Sequence, residues 1–190
     1  MAKPRFFPSP AAFRAWLERR HKTAKELLVG FHKRHIGRAS LTWPESVDEA
    51  LCFGWIDSKT ITLDATRFRQ IFTPRKPRGT WAKSNKERVA RLIEQGLMTP
   101  AGLAVIEVAK ANGTWTAYDA IDELAMPEDL AAALAANPAA EQYWQGFSAS
   151  VKKGILYFIA SAKRPETRAK RIARTVELAE QNIRVMFDQP

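Results

Sequence analysis

The chain has 190 residues, of which 46% are hydrophobic, six are tryptophan and one, Cys52, is cysteine. This composition excludes a disordered chain, an intramolecular disulfide and a cysteine-rich metal site. The net charge of +10 favours polyanionic partners such as nucleic acid, phosphorylated metabolites or a membrane surface. The N-terminal residues lack the apolar run of a secretory signal, and no later stretch is apolar enough to span a bilayer. We therefore expect a cytoplasmic location.

In chain order, the first predicted helix begins at Ser9 or Pro10 and ends near His21, because its apolar residues recur at i, i+3 and i+4. Residues 27–32 alternate in the manner of a strand. A basic turn with the sequence KRHIGR follows at residues 33–38. This order predicts a helix and a strand that pack together before the chain reaches its most distinctive segment.

That segment is SLTWPESVDEALCFGWID at residues 40–57, which predicts a short helix leading directly into a strand. Thr42 and Glu45 have the spacing of a capping box, and Pro44 lies in the first turn, where its missing N–H costs nothing. Gly54 is expected to end the helix. The four acidic residues of the segment form a local cluster in a basic chain, so it is the first place to look for a site.

Two further strands are predicted at 55–64 and 67–75, and together with residues 27–32 they indicate a small antiparallel sheet. Helices resume at Lys83 and continue to the C-terminus. The predicted fold is therefore α+β, with a sheet and helices in residues 1–110, a connector at 111–126 and an all-helical portion at 127–190.

Five segments of the chain resemble one known family. They are LTWPESVDEALCFGWIDSK, RFRQIFTPRKP, the spacing W-x-x-x-N at Trp81 and Asn85, RLIEQGLMTPAG, and the long helical run that starts at MPEDLAAALAANP. Together they are similar to the YdeI/OmpD-associated family, whose helical part is a bacteriocin-protection region. The resemblance implies an intracellular bacterial protein that is linked by name to tolerance of bacteriocins and cationic antimicrobial peptides. It implies no known reaction.

The acidic cluster has two interpretations. Glu45, Asp48 and Glu49 share one face near a helix N-terminus, where the helix dipole stabilises carboxylates without any ligand. Alternatively, Asp48 and Asp57 converge as the acid and base of a hydrolase or isomerase. No histidine stands at ligand spacing from these acids, so no metal is expected. The sequence leaves open whether the chain is an enzyme and favours a binding protein.

The leading hypothesis is a pocket for a polar or anionic small ligand, or for a protein partner, that needs no cofactor. Arginine and asparagine would fix the ligand, the acids would orient it, and tryptophan faces would exclude water. The predicted pocket residues are Trp43, Glu45, Asp48, Trp55, Asp57, Arg75, Trp81 and Asn85. The alternative is that the tryptophans belong to the core and that Arg75 forms an internal salt bridge.

A second hypothesis is nucleic-acid binding through two basic helices near the C-terminus. Residues 152–174 hold eight lysines and arginines against one glutamate, whereas residues 104–147 hold seven acids and one lysine. A basic helix face can bind phosphates, or it can dock against the acidic segment. The candidate residues are Lys152, Lys153, Arg164, Arg168, Arg171 and Arg174.

Overall fold

A computed structural model describes residues 3–184 and divides the chain into two units, Met1–Ala117 and Tyr118–Pro190. The first unit is built on a four-stranded sheet with the strand order β1-β2-β4-β3. The strands are β1 (Arg5–Phe6), β2 (Leu27–His32), β3 (Trp55–Thr62) and β4 (Arg67–Pro74). β2 and β3 flank β4 in antiparallel pairing, and β1 runs parallel to β2. The fold is α+β.

The helices of the first unit begin at capping residues, except for the helix at Lys83–Glu94, which follows Ala82 and has no side-chain cap. They are α1 (Pro10–Arg20), α2 (Trp43–Cys52), α3 (Lys83–Glu94) and α4 (Pro100–Ala111), with a 3-10 turn at Arg34–Ile36. The side chains of Ser9 and Thr99 accept hydrogen bonds from the first turns of α1 and α4. Glu45 accepts hydrogen bonds from the N–H and hydroxyl of Thr42 at 2.8 and 2.7 Å, which confirms its predicted return to the start of α2.

One face of the sheet forms the core of the first unit. Val29 and Phe31 on β2 alternate with residues of the other face, and both are buried. Phe72 on β4 packs edge-on against Phe13 of α1, with ring centroids 5.6 Å apart. Burying each such aromatic ring contributes about 2 to 3 kcal/mol. This apolar face determines which side of the sheet the helices cover.

A bulge in β3 separates two parts of that strand. Asp57 pairs with Phe72, and Thr60 pairs with Gln70, so the register shifts between them. Gln70 is buried, and its amide donates to the hydroxyl of Thr60 at 2.8 Å. The bulge keeps Asp57 on the same side of the sheet as Phe72, beside the start of α2.

The C-terminal end of α2 approaches α4 closely. Gly54 has a φ of 73°, a left-handed conformation that suits glycine and ends the helix as predicted. The hydroxyl of Thr99 donates to the carbonyl oxygen of Cys52 at 2.6 Å. A Cβ atom on Gly102 would lie 2.4 Å from that same oxygen. The two backbones therefore contact each other at a position where only glycine fits.

The second unit is helical, as predicted for the C-terminal portion. Its helices are α5 (Asp119–Asp122), α6 (Glu128–Ala135), α7 (Pro138–Gly146), α8 (Ala149–Ala160) and α9 (Pro165–Glu180). Asn137 and Ser148 cap α7 and α8 through their side chains. Leu130, Ile155 and Ile159 are almost completely buried and belong to a separate core. Within residues 3–184, no helix combines the length and the apolar character that a membrane span requires.

Three short elements were not predicted. β1 has two residues, the 3-10 turn has three, and α5 has four residues inside the expected connector. None is long enough to show a helical or alternating pattern in the sequence. The domain limits at residues 110 and 126 stay a prediction.

Candidate functional site

The acidic residues of α2 are held by arginines of the same unit. Asp48 accepts from Arg88 at 2.6 Å through Oδ1 and from Arg91 at 2.7 Å through Oδ2. Glu49 accepts from Arg14 at 2.8 Å, and burial raises the pKa of this carboxyl although the arginine opposes the shift. These ion pairs fasten α1 and α3 to α2, so a structural role accounts for both acids.

Asp57 has a different partner. Its Oδ2 accepts the indole N–H of Trp43 at 2.8 Å, and no hydrogen bond or ion pair within residues 3–184 connects it to Asp48. Asp48 and Asp57 therefore have separate partners. Their role as an acid–base pair stays a prediction. Within the same residues, no three His, Cys, Asp or Glu side chains form a group that could hold a metal ion.

Two of the predicted pocket tryptophans belong to the core of the first unit. Trp55 is 1% exposed, and its indole N–H donates to the carbonyl oxygen of His21 at 3.2 Å. Trp81 is 2% exposed and packs against Trp115 with ring centroids 4.9 Å apart. This burial agrees with the core alternative that the sequence left open, and contact of either ring with a ligand stays a prediction.

Arg75 lies directly over the ring of Trp81, with 3.6 Å between the guanidinium carbon and the ring centroid. Burial lowers the pKa of this guanidinium to about 10, while the charge of Asp57 opposes the shift. One Nη atom donates to the carbonyl oxygen of Thr80 at 3.3 Å. Asn85 is half-buried in the first turn of α3. A ligand-binding role for Arg75 and Asn85 stays a prediction.

Trp43 differs from the other two predicted tryptophans, since 41% of its surface is exposed. It lines a cleft of about 460 Å³ between the end of β2, the start of β4 and the segment that leads into α2. The lining residues, which we call the basic cleft, are Phe31, His32, Lys33, Arg34, Gly37, Arg38, Ser40, Leu41, Thr42, Trp43, Pro44 and Phe68. Trp43 is the one member of the predicted pocket that lines it.

The basic cleft has an apolar floor and a cationic rim. Phe31 and Leu41 are buried, and Phe68 stacks on Phe31 with centroids 5.0 Å apart and an interplanar angle of 19°. The rim carries Lys33, Arg34 and Arg38, and the lining contains no Asp or Glu.

Within residues 3–184, none of the three rim cations has an ion-pair partner. The chain turns at Gly37, whose φ is 64°. The basic character of the turn KRHIGR was visible in the sequence. Its position over an apolar floor was not, because that depends on how the flanking strands pair.

The proposed nucleic-acid residues lie in the second unit, and most of them already contact their own unit. Lys153 pairs with Asp122 at 3.6 Å, and Arg168 forms two hydrogen bonds with Asp129 at 2.6 and 2.8 Å. The remaining contacts join Lys152 to the carbonyl oxygen of Gln145, Arg171 to the carbonyl oxygen of Phe158 and the hydroxyl of Ser161, and Arg174 to Glu177. Docking against acidic and polar groups of the same unit accounts for these side chains.

Two family models match the chain, one in each part. Residues 5–105 match a model described as a domain of unknown function (DUF8412). Residues 123–182 match a model described as "Bacteriocin-protection, YdeI or OmpD-Associated", which confirms the predicted resemblance for this segment. Searches of curated proteins and of solved structures gave no match. The basic cleft lies inside the first matched segment.

Proposed function

The chain belongs to the family described as a domain of unknown function (DUF8412), and we propose that this domain binds a small anionic ligand in the basic cleft. One observation carries the proposal. Three cations stand around a cavity whose lining has no carboxylate, whereas the arginines that contact α2 are paired with acids. An anion is the chemical species that completes such a site.

The charges of the rim suit a carboxylate, sulfate or phosphate group. Arg34 and Arg38 flank the turn at Gly37, and Lys33 precedes it, so the three positive charges are held close together by a short loop. Their mutual repulsion is relieved when an anion binds between them. Guanidinium groups also bind such oxygens in pairs, which gives geometric selectivity as well as affinity.

The apolar floor of the cleft favours a ligand that also has an apolar part. Phe68 is partly exposed and presents apolar surface beneath the cations, supported by the buried Phe31 and Leu41. A ligand that covers this surface removes water and strengthens the electrostatic contacts at the rim. The volume of about 460 Å³ lies within the range of small-molecule sites. We therefore propose a ligand that has an anionic group and an apolar body.

The cellular role is the second part of the proposal. The match of residues 123–182 to a bacteriocin-protection model supports a link to bacteriocin or antimicrobial-peptide tolerance. We propose that the protein acts in the cytoplasm and contributes to tolerance by binding its ligand there, without catalysing a reaction on it.

The test is an NMR titration of the full ¹⁵N-labelled chain with phenyl phosphate at low ionic strength. We expect shifts at residues 31–44 and a dissociation constant of about 0.1 to 1 mM, as suits a ligand of this size. The double variant R34Q/R38Q should weaken binding at least tenfold, because it removes two charge-assisted contacts.

The matched control is R19Q/R20Q, which removes the same charge from two exposed arginines at the end of α1. It should bind as the unaltered chain does. Equal weakening in both double variants would show that only net charge matters and would refute a built site. An absence of shifts at residues 31–44 would do the same.

A further inference from the structure

We infer that the ligand of the basic cleft is a planar aromatic anion, and that its ring stacks on the indole of Trp43 while its anionic group pairs with Arg34 and Arg38. This inference rests on the proposed function and deepens it by naming the ligand class. It also assigns Asp57 as a positioning residue that acts through Trp43.

Trp43 is placed to offer a ring face to a ligand. It is the first residue of α2, it is followed by Pro44, and it lines the cleft with 41% of its surface exposed. The other two tryptophans of the predicted pocket, Trp55 and Trp81, are buried. An exposed indole on the wall of a cationic cleft supplies a large apolar face at a small cost in conformational entropy.

The hydrogen bond to Asp57 determines what Trp43 can do. The indole has a single donor, Nε1, and this donor is used at 2.8 Å by the carboxylate of Asp57. A ligand can therefore interact with the ring only through its face or edge. The bond also restrains the orientation of the side chain before any ligand arrives, and such restraint lowers the entropic cost of binding.

A second aromatic residue of the cleft, Phe68, favours the same ligand shape. Its ring is partly exposed in the lining and is held in place by stacking on the buried Phe31. A flat ring gains stacking contacts with aromatic surfaces that a saturated ring of equal size cannot make. The three rim cations then select the charged substituent.

Asp57 does not line the cleft, so its effect on a ligand is indirect. It lies on β3 immediately before the bulge, and its charge also acts on the guanidinium of Arg75. Arg75 is in turn packed on the buried ring of Trp81. The carboxylate that orients Trp43 is thus supported by the core of the unit, which suits a positioning role.

The experiment compares phenyl phosphate with cyclohexyl phosphate, which has the same charge and nearly the same size but lacks a planar ring. NMR titrations of the full chain should give phenyl phosphate an affinity about threefold to tenfold higher. In W43L the ratio of the two affinities should fall to about one. In D57A the ratio should fall as well, although the aromatic residue is still present.

D57N keeps an oxygen acceptor for the indole N–H, so it should restore most of the selectivity that D57A loses. W43L changes an exposed residue, so it tests the stacking contact independently of whether D57A remains folded. A purely structural role for Asp57 would change the affinities for both ligands together and leave their ratio unaltered.

The outcomes separate this inference from the proposed function. Equal affinities for the two phosphates in the unaltered chain, with both weakened by R34Q/R38Q, would overturn the aromatic selectivity and leave anion binding intact. Failure of both ligands to bind, or indifference of both to R34Q/R38Q, would overturn the proposed function itself.

Discussion

At the scale of single residues, the hydrogen-bond and ion-pair partners of a carboxylate indicate whether it has a structural role. Both oxygens of Asp48 are occupied by arginines of α3, and its side chain is 21% exposed. Asp57 uses one oxygen to orient a tryptophan. The contacts of Asp48 are those of a structural ion pair, and the catalytic role that the sequence allowed for Asp48 and Asp57 stays a prediction.

Asp129 provides the first prediction at this scale. Arg168 holds the pKa of this carboxyl below its usual value, and an acid with a lowered folded-state pKa stabilises the fold above its unfolded pKa of 3.8. That contribution is lost as the pH falls from 3.8 through the lower pKa of the folded state. Because the pair is partly exposed, D129N should lower the free energy of unfolding at pH 7 by about 0.5 kcal/mol.

Urea denaturation at several pH values tests the prediction, and the difference between D129N and the unaltered chain should shrink in acid. The control is E128Q, which removes the same charge from the neighbouring exposed position on α6. It should show no comparable pH-dependent difference. A D129N deficit that stays constant down to pH 2 would contradict the assignment.

At the scale of elements, the contact between α2 and α4 depends on the absence of a side chain. A Cβ atom on Gly102 would lie 2.4 Å from the carbonyl oxygen of Cys52 and 2.8 Å from that of Leu51. Both are backbone atoms, so the conflict cannot be relieved by a side-chain rotation. The C-terminal end of α2 is therefore held against α4 by backbone contact and by the hydrogen bond from Thr99.

This geometry predicts opposite effects for one substitution at two helical glycines. G102A should lower the free energy of unfolding by about 2 kcal/mol, because α4 must move away from α2. G154A lies in α8, where a Cβ would meet no atom within 4 Å, and it should raise stability by about 0.5 to 1 kcal/mol through its helix propensity.

Chemical denaturation of the two variants and the unaltered chain makes the comparison. Since both variants are glycine-to-alanine changes within helices, intrinsic propensity is matched and the difference reports steric contact. A stabilising G102A would show that the two helices are not in contact at this position.

At the scale of the whole molecule, net charge is a poor guide to the working surface. Much of the positive charge of the second unit is used internally, as the pairs of Lys153 with Asp122 and Arg168 with Asp129 show. A phosphate backbone could bind these side chains only by displacing their present partners. The cations of the basic cleft require no such displacement, because none has an ion-pair partner within residues 3–184.

The third prediction concerns binding of a short RNA, measured by fluorescence anisotropy over a salt series. We expect weak, salt-sensitive association that reflects the charge of +10. R168Q/R171Q should reduce it no more than R19Q/R20Q does, because Arg168 and Arg171 already have partners in their own unit. A salt slope that falls by about 1.5 in R168Q/R171Q alone would instead favour the basic helices as a nucleic-acid surface.

The sequence by itself determined the local elements of this protein. The alternation at residues 27–32 predicted β2, and Ser9 or Pro10 was expected to begin α1, which the structure confirms. The hydrogen bond between the N–H of Thr42 and the carboxylate of Glu45 was also predictable, because a capping box requires only a spacing of three residues. Periodicity and capping are local, so a single chain reveals them.

Only the tertiary structure decided which residues share a site. Trp43, Trp55 and Trp81 are alike in the sequence, yet the fold buries two and leaves the first on a cleft wall. The basic cleft joins the turn at 33–38 to Phe68, which lies 30 residues further along the chain. This proximity depends on the pairing of β2 with β4. Local periodicity identifies each strand but does not indicate which distant strand it pairs with.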